Sequence, residues 1–335
     1  MNAGGATVAL VGTGRMARIR ATALLAADPT TRLVVLSRSL LRAQAFVDVH
    51  GGVARDLADV AVLAVDGAIV ASGTSDHEDD TAAMLALGVP VLCEKPMAGS
   101  VPAARAMAAL AETSGAPLFV AFHRRFDPAY AALREAADQG RLGTIYQLRS
   151  TSYDATPGAP EFIRASGGIF RDLLVHDIES MMWTTHCGVD RVFATGDSRI
   201  SADYADAGDC DVATALLWMS DGLVATLHGV RHNPAGQDVR LELVSSRASA
   251  AVGLGPRTPI CDVAGAPVFA GEPYRSFEER FADAFRHETS AFLEHLAGGS
   301  TFPGCTAREA LAVQVVAEAC ETSRRTGLPV DVPRE

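Results

Sequence analysis

The start of the chain contains the pattern that most restricts its fold: a short apolar strand, a glycine-rich turn, a helix and a second strand. In order, these segments are Thr7–Val11, Gly12-Thr13-Gly14-Arg15-Met16-Ala17, an alanine-rich run that ends at Ala27, and Arg32–Leu36. In a dinucleotide-binding βαβ unit, the first glycine permits the tight turn and the second lets the backbone approach a pyrophosphate. The helix N-terminus then offers free N–H groups to the phosphates. We therefore predict that residues 12–16 contact a bound dinucleotide.

Strand and helix patterns continue to alternate as far as Ala121, which predicts a parallel sheet covered on both faces. Beyond it strands predominate, and Asp221-Gly222 is a hairpin signal between two of them. The predicted architecture is an α/β Rossmann domain over residues 1–121, followed over residues 122–335 by an α+β domain with a large, mainly antiparallel open sheet. Ligand loops are expected at the strand ends of the first domain, where the further cofactor candidates are Ser37, Arg38, Ala71, Ser72, His77, Glu94 and Lys95.

The end of the second strand bears on which dinucleotide binds. Enzymes specific for NAD commonly carry an acid there, which binds the ribose and would repel a 2′-phosphate. Here the position holds Ser37, and Arg38 follows it. Ser37 can hydrogen-bond to a phosphate, and Arg38 can add charge and stack on adenine, so the sequence favours NADP(H), with NAD(H) possible. The alternative is that Arg38 is a solvated loop residue and that either cofactor binds.

Composition and charge argue against several classes of protein. The 335 residues carry a formal net charge of −11 and no clustered basic stripe, which argues against binding to nucleic acid or to an anionic membrane. No apolar run is long enough to span a bilayer and no basic n-region precedes the first strand, so we expect a cytoplasmic protein without a signal peptide. We predict no metal site, because no ligand spacing supports one. Six scattered cysteines are expected to be packing residues: Cys93, Cys187, Cys210, Cys261, Cys305 and Cys320.

A second motif begins at Gly167-Gly168, where an apolar-periodic run follows as far as Trp183. This pattern predicts one helix. Asp172 and His176 are four residues apart and would project from one face of that helix. A carboxylate one turn before an imidazole can accept a ring N–H, which leaves the other nitrogen to take a proton near neutral pH. The alternative is a solvated or stabilising pair on a half-exposed helix.

Lys95 ends a predicted strand in the run Glu94-Lys95-Pro96. At the nicotinamide end of a Rossmann cleft, its ammonium can hold a reacting oxygen and stabilise the negative charge that develops there. The alternative is a surface lysine at a strand end. His77 is expected to make a structural hydrogen bond, on a loop whose backbone lines the cofactor.

Three motifs in this order resemble the glucose–fructose oxidoreductase/inositol dehydrogenase/rhizopine-catabolism (Gfo/Idh/MocA) family. They are Gly12-Thr13-Gly14, Glu94-Lys95-Pro96, and Gly167-Gly168 through Asp172 to His176-Asp177. Further segments resemble the inositol 2-dehydrogenase-like members of that family: Phe122–Pro128, Arg231, Gly236–Glu242 and Phe281–Phe292. The similarity extends over essentially the whole chain.

The resemblance implies roles for particular residues, a cis Lys95–Pro96 bond, and a homodimer or homotetramer formed through the open face of the second sheet. The implied catalytic residues are Lys95, Asp172 and His176, with His176 as general acid and base. The implied contacts to a polyol, cyclitol or keto-sugar substrate are Arg125, Asp154 and Gln237. Gln237 stands where inositol-oxidising members often carry a tyrosine, which leaves the identity of the polyol open.

These features favour an enzyme that transfers a hydride between NAD(P) and a secondary alcohol or ketone of a cyclitol or sugar. A second interpretation keeps the fold but assigns reduction of an imine or keto-sugar in a biosynthetic pathway. A third is a cofactor-binding regulator without turnover. The presence of both Lys95 and His176 argues against the regulator.

Overall fold

A computed structural model describes residues 5–260, 271–299 and 301–334 of the chain. Contacts separate the protein into two compact units. One unit takes the chain up to Phe126 together with Asp283–Leu311, and the other takes Asp127–Ala282 and the chain from Ala312 onward. Cys261, for which the sequence predicts a packing role, lies outside the described residues.

Strands and helices are numbered in chain order. The strands are β1 (Thr7–Val11), β2 (Arg32–Ser37), β3 (Val53–Asp56), β4 (Gly67–Val70), β5 (Val91–Glu94), β6 (Leu118–Ala121), β7 (Ile145–Tyr153), β8 (Val189–Asp197), β9 (Val212–Met219), β10 (Val224–Val230), β11 (Asp238–Ser245), β12 (Ser249–Val252), β13 (Cys305–Thr306) and β14 (Val330–Asp331). The helices are α1 (Arg15–Ala27), α2 (Leu40–His50), α3 (His77–Leu85), α4 (Val101–Ser114), α5 (Pro128–Asp138), α6 (Pro160–Ala165), α7 (Ile169–Asp172), α8 (Val175–Thr185), α9 (Ala202–Asp206), α10 (Phe277–Arg280), α11 (Ala282–Leu296) and α12 (Ala307–Thr326). Short 3₁₀ segments occupy Leu57–Val62, Thr74–Asp76 and His123–Phe126.

The first unit is built on a sheet with the strand order β13-β6-β5-β4-β1-β2-β3. Neighbouring strands pair in parallel, except that β13 pairs antiparallel with β6. β1 pairs with both β2 and β4, so the strand order reverses at β1. Open sheets of this kind bind ligands outside the carboxyl ends of the strands at such a reversal. The predicted mostly parallel Rossmann sheet is confirmed.

Helices cover this sheet closely because the residues that face it are small or apolar. The central strands β4, β5 and β6 are buried along their whole length. Ala17, Ala21 and Leu24 of α1 are fully buried in the same core as the strands, and α11 contributes Phe292 and Leu293. The small residues let α1 lie close to the sheet, which brings the start of the helix to the end of β1.

The second unit is built on a sheet with the order β12-β11-β7-β10-β9-β8-β14. β7 and β10 pair in parallel and the other neighbours pair antiparallel, which confirms the predicted mainly antiparallel sheet. Buried and half-buried residues alternate along Val212–Met219, because successive strand side chains point to opposite faces. α8 is anchored to β7 through Asp177, whose carboxylate accepts hydrogen bonds from Ser150 and Ser152.

The helix predicted after Gly168 is interrupted, which corrects the sequence prediction. α7 ends at Asp172 and α8 begins at Val175. Between them, the N–H of Leu174 donates to the carbonyl of Ile169, one residue further back than in a regular α-helix. The chain therefore turns between the two helices.

Tertiary packing explains the interruption. Leu174 packs so tightly on β10 that a Cβ added at Gly229 would lie 3.0 Å from its side chain. Asp172 is consequently the last residue of α7 and His176 the second residue of α8, so one uninterrupted helix does not carry both. The apolar pattern was continuous, but the contact with Gly229 comes from a distant part of the chain.

Other elements also differ from the sequence pattern. The sequence over residues 277–297 has a pattern typical of one helix, but the structure divides it into α10 and α11. α2 and β3 were not predicted, because their sequences lack a clear period. Cys305–Thr306, which lies far along the chain, pairs with β6 and so extends the first sheet. Pairing over such a sequence distance leaves no local signal.

Candidate active site

The turn after β1 has the geometry that a bound pyrophosphate requires. Gly12 has a φ of +109°, and a Cβ there would come 2.6 Å from the carbonyl oxygen of Ala71, so only glycine fits. At Gly14 a Cβ would meet nothing within 4 Å, which leaves open space at the start of α1. Gly14 is also the N-cap of α1 and supplies no side-chain cap. The first N–H groups of this long helix are therefore well placed for an anion.

Ser72 and His77 lie on the segment after β4. Ser72 Oγ is buried and finds no hydrogen-bond partner among the described residues, so a ligand oxygen would satisfy it. His77 places Nδ1 2.9 Å from the carbonyl oxygen of Pro96 and Nε2 3.3 Å from that of Ser72. A carbonyl oxygen only accepts a hydrogen bond, so the two contacts form together only when both ring nitrogens carry hydrogen, as in the protonated imidazole. Burial opposes this charge, but Cys93, the Pro96 carbonyl and Glu94 together raise the pKa of His77 to about 9.

These hydrogen bonds join the segment after β4 to the turn that contains Lys95. The Lys95–Pro96 peptide bond in that turn is cis, as the resemblance implies. Lys95 itself is half-buried and is the only lysine in the chain. His77 thus makes the structural hydrogen bond that the sequence analysis expected of it.

Glu94, which precedes Lys95, is fixed by buried ion pairs. Arg20 Nε lies 2.6 Å from Glu94 Oε1, and Arg20 Nη1 lies 2.7 Å from Glu288 Oε2. Arg20 and Glu288 have no exposed side-chain area, and Glu94 keeps 5%. Burial alone would lower the pKa of Arg20, but Glu288 and Glu94 outweigh it and raise that pKa, so the guanidinium stays charged. The end of β5 is therefore firmly held.

Ser37 and Arg38 follow β2, at the position that distinguishes cofactors in this fold. Ser37 Oγ accepts a hydrogen bond of 3.1 Å from the backbone N–H of Ser39. Arg38 is engaged by two carboxylates of the segment after β4. Its Nη2 lies 2.7 Å from Asp80 Oδ1, and its Nη1 lies 3.4 Å from Asp76 Oδ2. The positive charge next to Ser37 is thus already paired.

Arg125 is a buried residue of the first unit. Its Nη2 lies 3.0 Å from Glu309 Oε1 near the start of α12. Burial would raise the pKa of Glu309, but the charge of Arg125 and hydrogen bonds from Thr306 outweigh it and lower that pKa. Glu309 therefore holds Arg125 as an ionised partner.

In the second unit, Arg231 draws together residues that lie far apart in the sequence. Its Nη1 lies 2.9 Å from Asp172 Oδ2 and 3.5 Å from Asp154 Oδ2. Gln237 Nε2 donates to Asp154 Oδ1 at 3.2 Å. Arg231 is 5% exposed, whereas the side chains of Asp154 and Asp172 keep 22% and 15% of their exposure. Burial raises the pKa of Asp154 despite the opposing charge of Arg231.

Gly168 lets the start of α7 pack closely against Asp209. Gly168 has a φ of +102°, and a Cβ there would lie 3.1 Å from Asp209 Oδ1. The same carboxylate accepts a hydrogen bond of 3.0 Å from the N–H of Ile169 and so caps α7. His176 lies in the first turn of α8 and is 9% exposed, and its carbonyl oxygen accepts a hydrogen bond from Ser180. Asp209 thus holds the start of the segment that carries Asp172, and it can approach so closely because residue 168 is glycine.

The structure places the predicted residues in two groups, one in each unit. Three of them meet in the Arg231 cluster: Asp154, Asp172 and Gln237. The cofactor candidates of the first unit lie at the turn after β1 and at or beyond the carboxyl ends of β2, β4 and β5: Gly12, Thr13, Gly14, Arg15, Met16, Ser37, Arg38, Ala71, Ser72, His77, Glu94 and Lys95.

Sequence reasoning gave no role to Arg20, Asp80 or Arg231. Arg20 left one signal, a charged residue within the alanine-rich pattern of α1. Arg231 entered only through the family resemblance, and Asp80 is one of three consecutive acids that nothing in the sequence distinguishes. Their partners lie on other elements, so the fold was needed to identify them.

The described residues contain neither a cluster of metal ligands nor a membrane-spanning helix. Over 5–260, 271–299 and 301–334, no group of three or more His, Cys, Asp and Glu side chains is arranged to hold a metal ion. Within the same ranges, no helix combines the length and the apolar character needed to cross a bilayer.

Comparison with known proteins identifies the family. A model described as an oxidoreductase family with an NAD-binding Rossmann fold matches residues 6–122, and one for the Gfo/Idh/MocA C-terminal domain matches residues 130–251. Over 325 residues the chain is 35% identical to the myo-inositol dehydrogenase Hyg17 of Streptomyces leeuwenhoekii. The aligned region covers 95% of this chain and 98% of that protein. The chain belongs to the Gfo/Idh/MocA family. It is an inositol dehydrogenase-like oxidoreductase of the class that acts on CH–OH groups, as the sequence predicted.

Solved structures of this family have the same fold. A putative myo-inositol dehydrogenase from Sinorhizobium meliloti 1021 superposes with a TM-score of 0.87 at 27% identity, covering 98% of this chain and all of that one. The scyllo-inositol dehydrogenase of Lactobacillus casei, solved with NAD(H) and scyllo-inositol bound, superposes with a TM-score of 0.86 at 24% identity. It covers 98% of this chain and 99% of its own, and at that identity the likeness concerns the fold alone.

Proposed function

We propose that this oxidoreductase transfers a hydride between a nicotinamide dinucleotide and a secondary alcohol of an inositol or a related cyclitol or sugar. The observation that carries the proposal is the cluster of Arg231, Asp154, Asp172 and Gln237. A hydroxyl-rich ring needs several oriented donors and acceptors, because an unmatched buried polar group is costly. The partly exposed carboxylates of this cluster meet that need, and the similarity to a myo-inositol dehydrogenase supports the choice of ring.

A bound nicotinamide would accept or supply the hydride. Oxidation of the alcohol also requires removal of its hydroxyl proton, and we assign this step to His176. Asp172 would orient the imidazole and stabilise its cation, while Lys95 would bind the same substrate oxygen and lower its pKa. In the reducing direction His176 returns the proton. General-base assistance of this kind contributes about 10²–10⁴ in rate.

The amino-acid usage of the chain supports a chemical role for Lys95. Lys95 is the only lysine, and the other basic side chains counted with it are arginines. A guanidinium stays protonated in proteins, whereas an ammonium is a compact charge whose pKa responds to its surroundings. An ammonium is therefore the better suited of the two to interact with a developing alkoxide.

We assign substrate contacts to Arg125, Asp154 and Gln237. The hydrogen bond between Gln237 and Asp154 pre-orients both side chains, so neighbouring hydroxyls would meet ordered partners. Arg125 is held by Glu309, which fixes its guanidinium. Gln237 offers both a donor and an acceptor, which suits a hydroxyl group.

The turn after β1 and the buried Ser72 Oγ fit a dinucleotide, and related structures contain NAD(H). We propose that residues 12–16, Ala71, Ser72 and the Glu94–Lys95 turn hold it. The preference for NADP(H) rests on the sequence alone. The pairing of Arg38 with Asp80 weighs against it, because a 2′-phosphate would have to share that arginine.

We further propose that residues 1–121 bind the cofactor and that residues 122–335 bind substrate and form a homodimer or homotetramer through the open sheet face. Large apolar side chains on the second sheet support an assembly surface. Tyr146, Val224 and Val244 are 63%, 41% and 43% exposed. Sedimentation analysis would test the oligomer.

The decisive experiment measures turnover of myo-inositol, other polyols and keto-sugars with both cofactors for His176→Ala and Lys95→Ala. Each variant should lose orders of magnitude in kcat while it still binds reduced cofactor. His186→Ala, at an exposed histidine of the second unit, is the matched control and should keep its turnover. Full turnover in both site variants would remove these residues from the mechanism, and activity confined to keto-sugars or imines would favour a biosynthetic reductase.

Because Lys95 is the only lysine, it can also be observed directly. Reductive methylation with ¹³C-formaldehyde labels its ammonium and otherwise only the chain's terminal amine. Addition of cofactor and inositol should shift the NMR titration of the Lys95 signal. An unchanged titration in the ternary complex would show that Lys95 does not contact the substrate.

A further inference from the structure

We infer that Asp80, helped by Asp76, occupies Arg38 and thereby disfavours a cofactor with a 2′-phosphate. The inference rests on the proposed cofactor site and concerns its specificity. It reverses the preference that Ser37-Arg38 suggests from sequence alone.

The ion pairs join two strand ends of the cofactor edge. Arg38 follows β2, and Asp76 and Asp80 lie just beyond β4, on the two sides of β1 in the sheet. Arg38 Nη2 donates to Asp80 Oδ1 at 2.7 Å, while Nη1 lies 3.5 Å from Asp80 Oδ2 and 3.4 Å from Asp76 Oδ2. The guanidinium therefore presents both of its terminal nitrogens to carboxylates.

Burial makes the Asp80 contact the dominant one. The side chain of Asp80 is 1% exposed, whereas those of Arg38 and Asp76 are 51% and 45% exposed. A buried carboxylate that loses its cation is strongly unfavourable, so Arg38 cannot leave Asp80 without cost. Asp80 also lies in the first turn of α3, where the helix dipole favours a negative charge.

The charge balance then decides which cofactor is tolerated. One arginine faces two carboxylates, so these three side chains together carry a net negative charge. A 2′-phosphate that bound to Arg38 would lie beside both carboxylates and be repelled by them. A ribose with a free 2′-hydroxyl brings no charge and can bond to an acceptor instead. Asp76 and Asp80 thus substitute for the acid that is missing at the end of β2.

The test is a set of dissociation constants for NADPH and NADH, measured by fluorescence without substrate. Wild-type protein should bind NADH more tightly than NADPH. Asp80→Asn keeps the shape of the side chain but removes its charge, and it should improve NADPH binding about tenfold with a much smaller change for NADH. In the double variant Asp80→Asn/Arg38→Ala the gain should disappear.

Asp79→Asn is the matched control. It makes the same charge change one residue away on the same helix, at an exposed position, and should leave the ratio of the two constants unchanged. If Asp79→Asn and Asp80→Asn improved NADPH binding equally, the effect would come from the overall charge of the protein, and the inference would be overturned. Tighter binding of NADPH than NADH by wild-type protein would overturn it as well.

Asp76→Asn provides a second variant should Asp80→Asn fail to fold. Asp76 is half-exposed and more distant, so the shift toward NADPH should have the same direction but be only about twofold. A wild-type ratio in every folded variant would refute the role of Asp80. If wild-type protein bound neither NADH nor NADPH, the proposed function would be refuted instead. The failure of the inference and the failure of the proposed function are therefore distinguishable.

Discussion

Two buried arginines, Arg20 in the first unit and Arg231 in the second, each lie between two carboxylates. Around Arg20 the distances are 2.6 and 2.7 Å, and the three side chains keep between 0% and 5% of their exposure. Around Arg231 the distances are 2.9 and 3.5 Å, and the carboxylates of Asp172 and Asp154 remain 15% and 22% exposed. The first cluster is closed on itself, and the second is open to a ligand.

This difference separates support from recognition. In a closed cluster of low dielectric, each buried charge needs a partner within the cluster. The ion pairs therefore fix the elements that carry them, here α1, β5 and α11. In an open cluster, substrate groups can replace water, while the ion pairs keep the side chains of the cluster oriented. We therefore expect the Arg20 cluster to contribute mainly to stability and the Arg231 cluster mainly to binding.

The largest effect is expected at Arg20. Arg20→Met leaves two buried carboxylates without their cation, so the free energy of unfolding should fall by about 3–5 kcal/mol. Urea unfolding followed by circular dichroism measures this loss. Arg18→Met, at an exposed position of the same helix, is the control and should stay within about 0.5 kcal/mol of wild type. Similar stability in both variants would contradict the view of the first cluster as a closed support.

His77 sharpens the comparison, because it is a buried titratable group of the first unit. Its pKa is about 9 in the folded protein against 6.5 for an ordinary histidine. The folded state holds the proton more tightly, so this stabilisation is full below pH 6.5 and is lost as the pH rises through about 9. The change amounts to about 3 kcal/mol.

Unfolding experiments between pH 6 and pH 10 check this expectation. His77→Gln should lower stability near pH 6 and should flatten the decline toward pH 9. His50→Gln, a histidine change elsewhere in the first unit, serves as the control. A wild-type decline that persists in His77→Gln would assign it to another group.

The smallest loss of stability is expected at Arg231. Arg231→Met leaves Asp172 and Asp154 without their cation, but both carboxylates retain contact with water. The free energy of unfolding should therefore fall by only about 1–3 kcal/mol. Binding of myo-inositol to the protein–cofactor complex should weaken much more, by at least about tenfold. A stability loss as large as that of Arg20→Met, with unchanged inositol binding, would reverse the assignments of the two clusters.

The sequence predicted the parts of the site that are continuous in the chain. Gly12 and Gly14 were identified because each glycine has a backbone reason at a fixed spacing, and the structure shows that geometry. The two sheets followed from the change between alternating and strand-rich patterns. The continuous helix through Asp172 and His176 was wrong, since Leu174 packs on Gly229 of a remote strand.

The charge of Arg38 shows the limit of such reasoning most clearly. From sequence alone it stands free beside Ser37 and favours a phosphate. In the fold it meets Asp80, a residue from another segment, and its charge is already paired. The chemistry of a charged side chain depends on its neighbours within a few ångströms, and the chain order does not list them.

The sequence by itself determined the family, the two sheets, the glycine turn after β1 and the position of the only lysine, because these are written in local spacing and residue type. Only the tertiary structure decided which arginine meets which carboxylate, where the helix before His176 breaks, and that a late strand joins the first sheet. The physical reason is that burial and ion pairing are properties of distances in space, which packing sets after the local elements have formed.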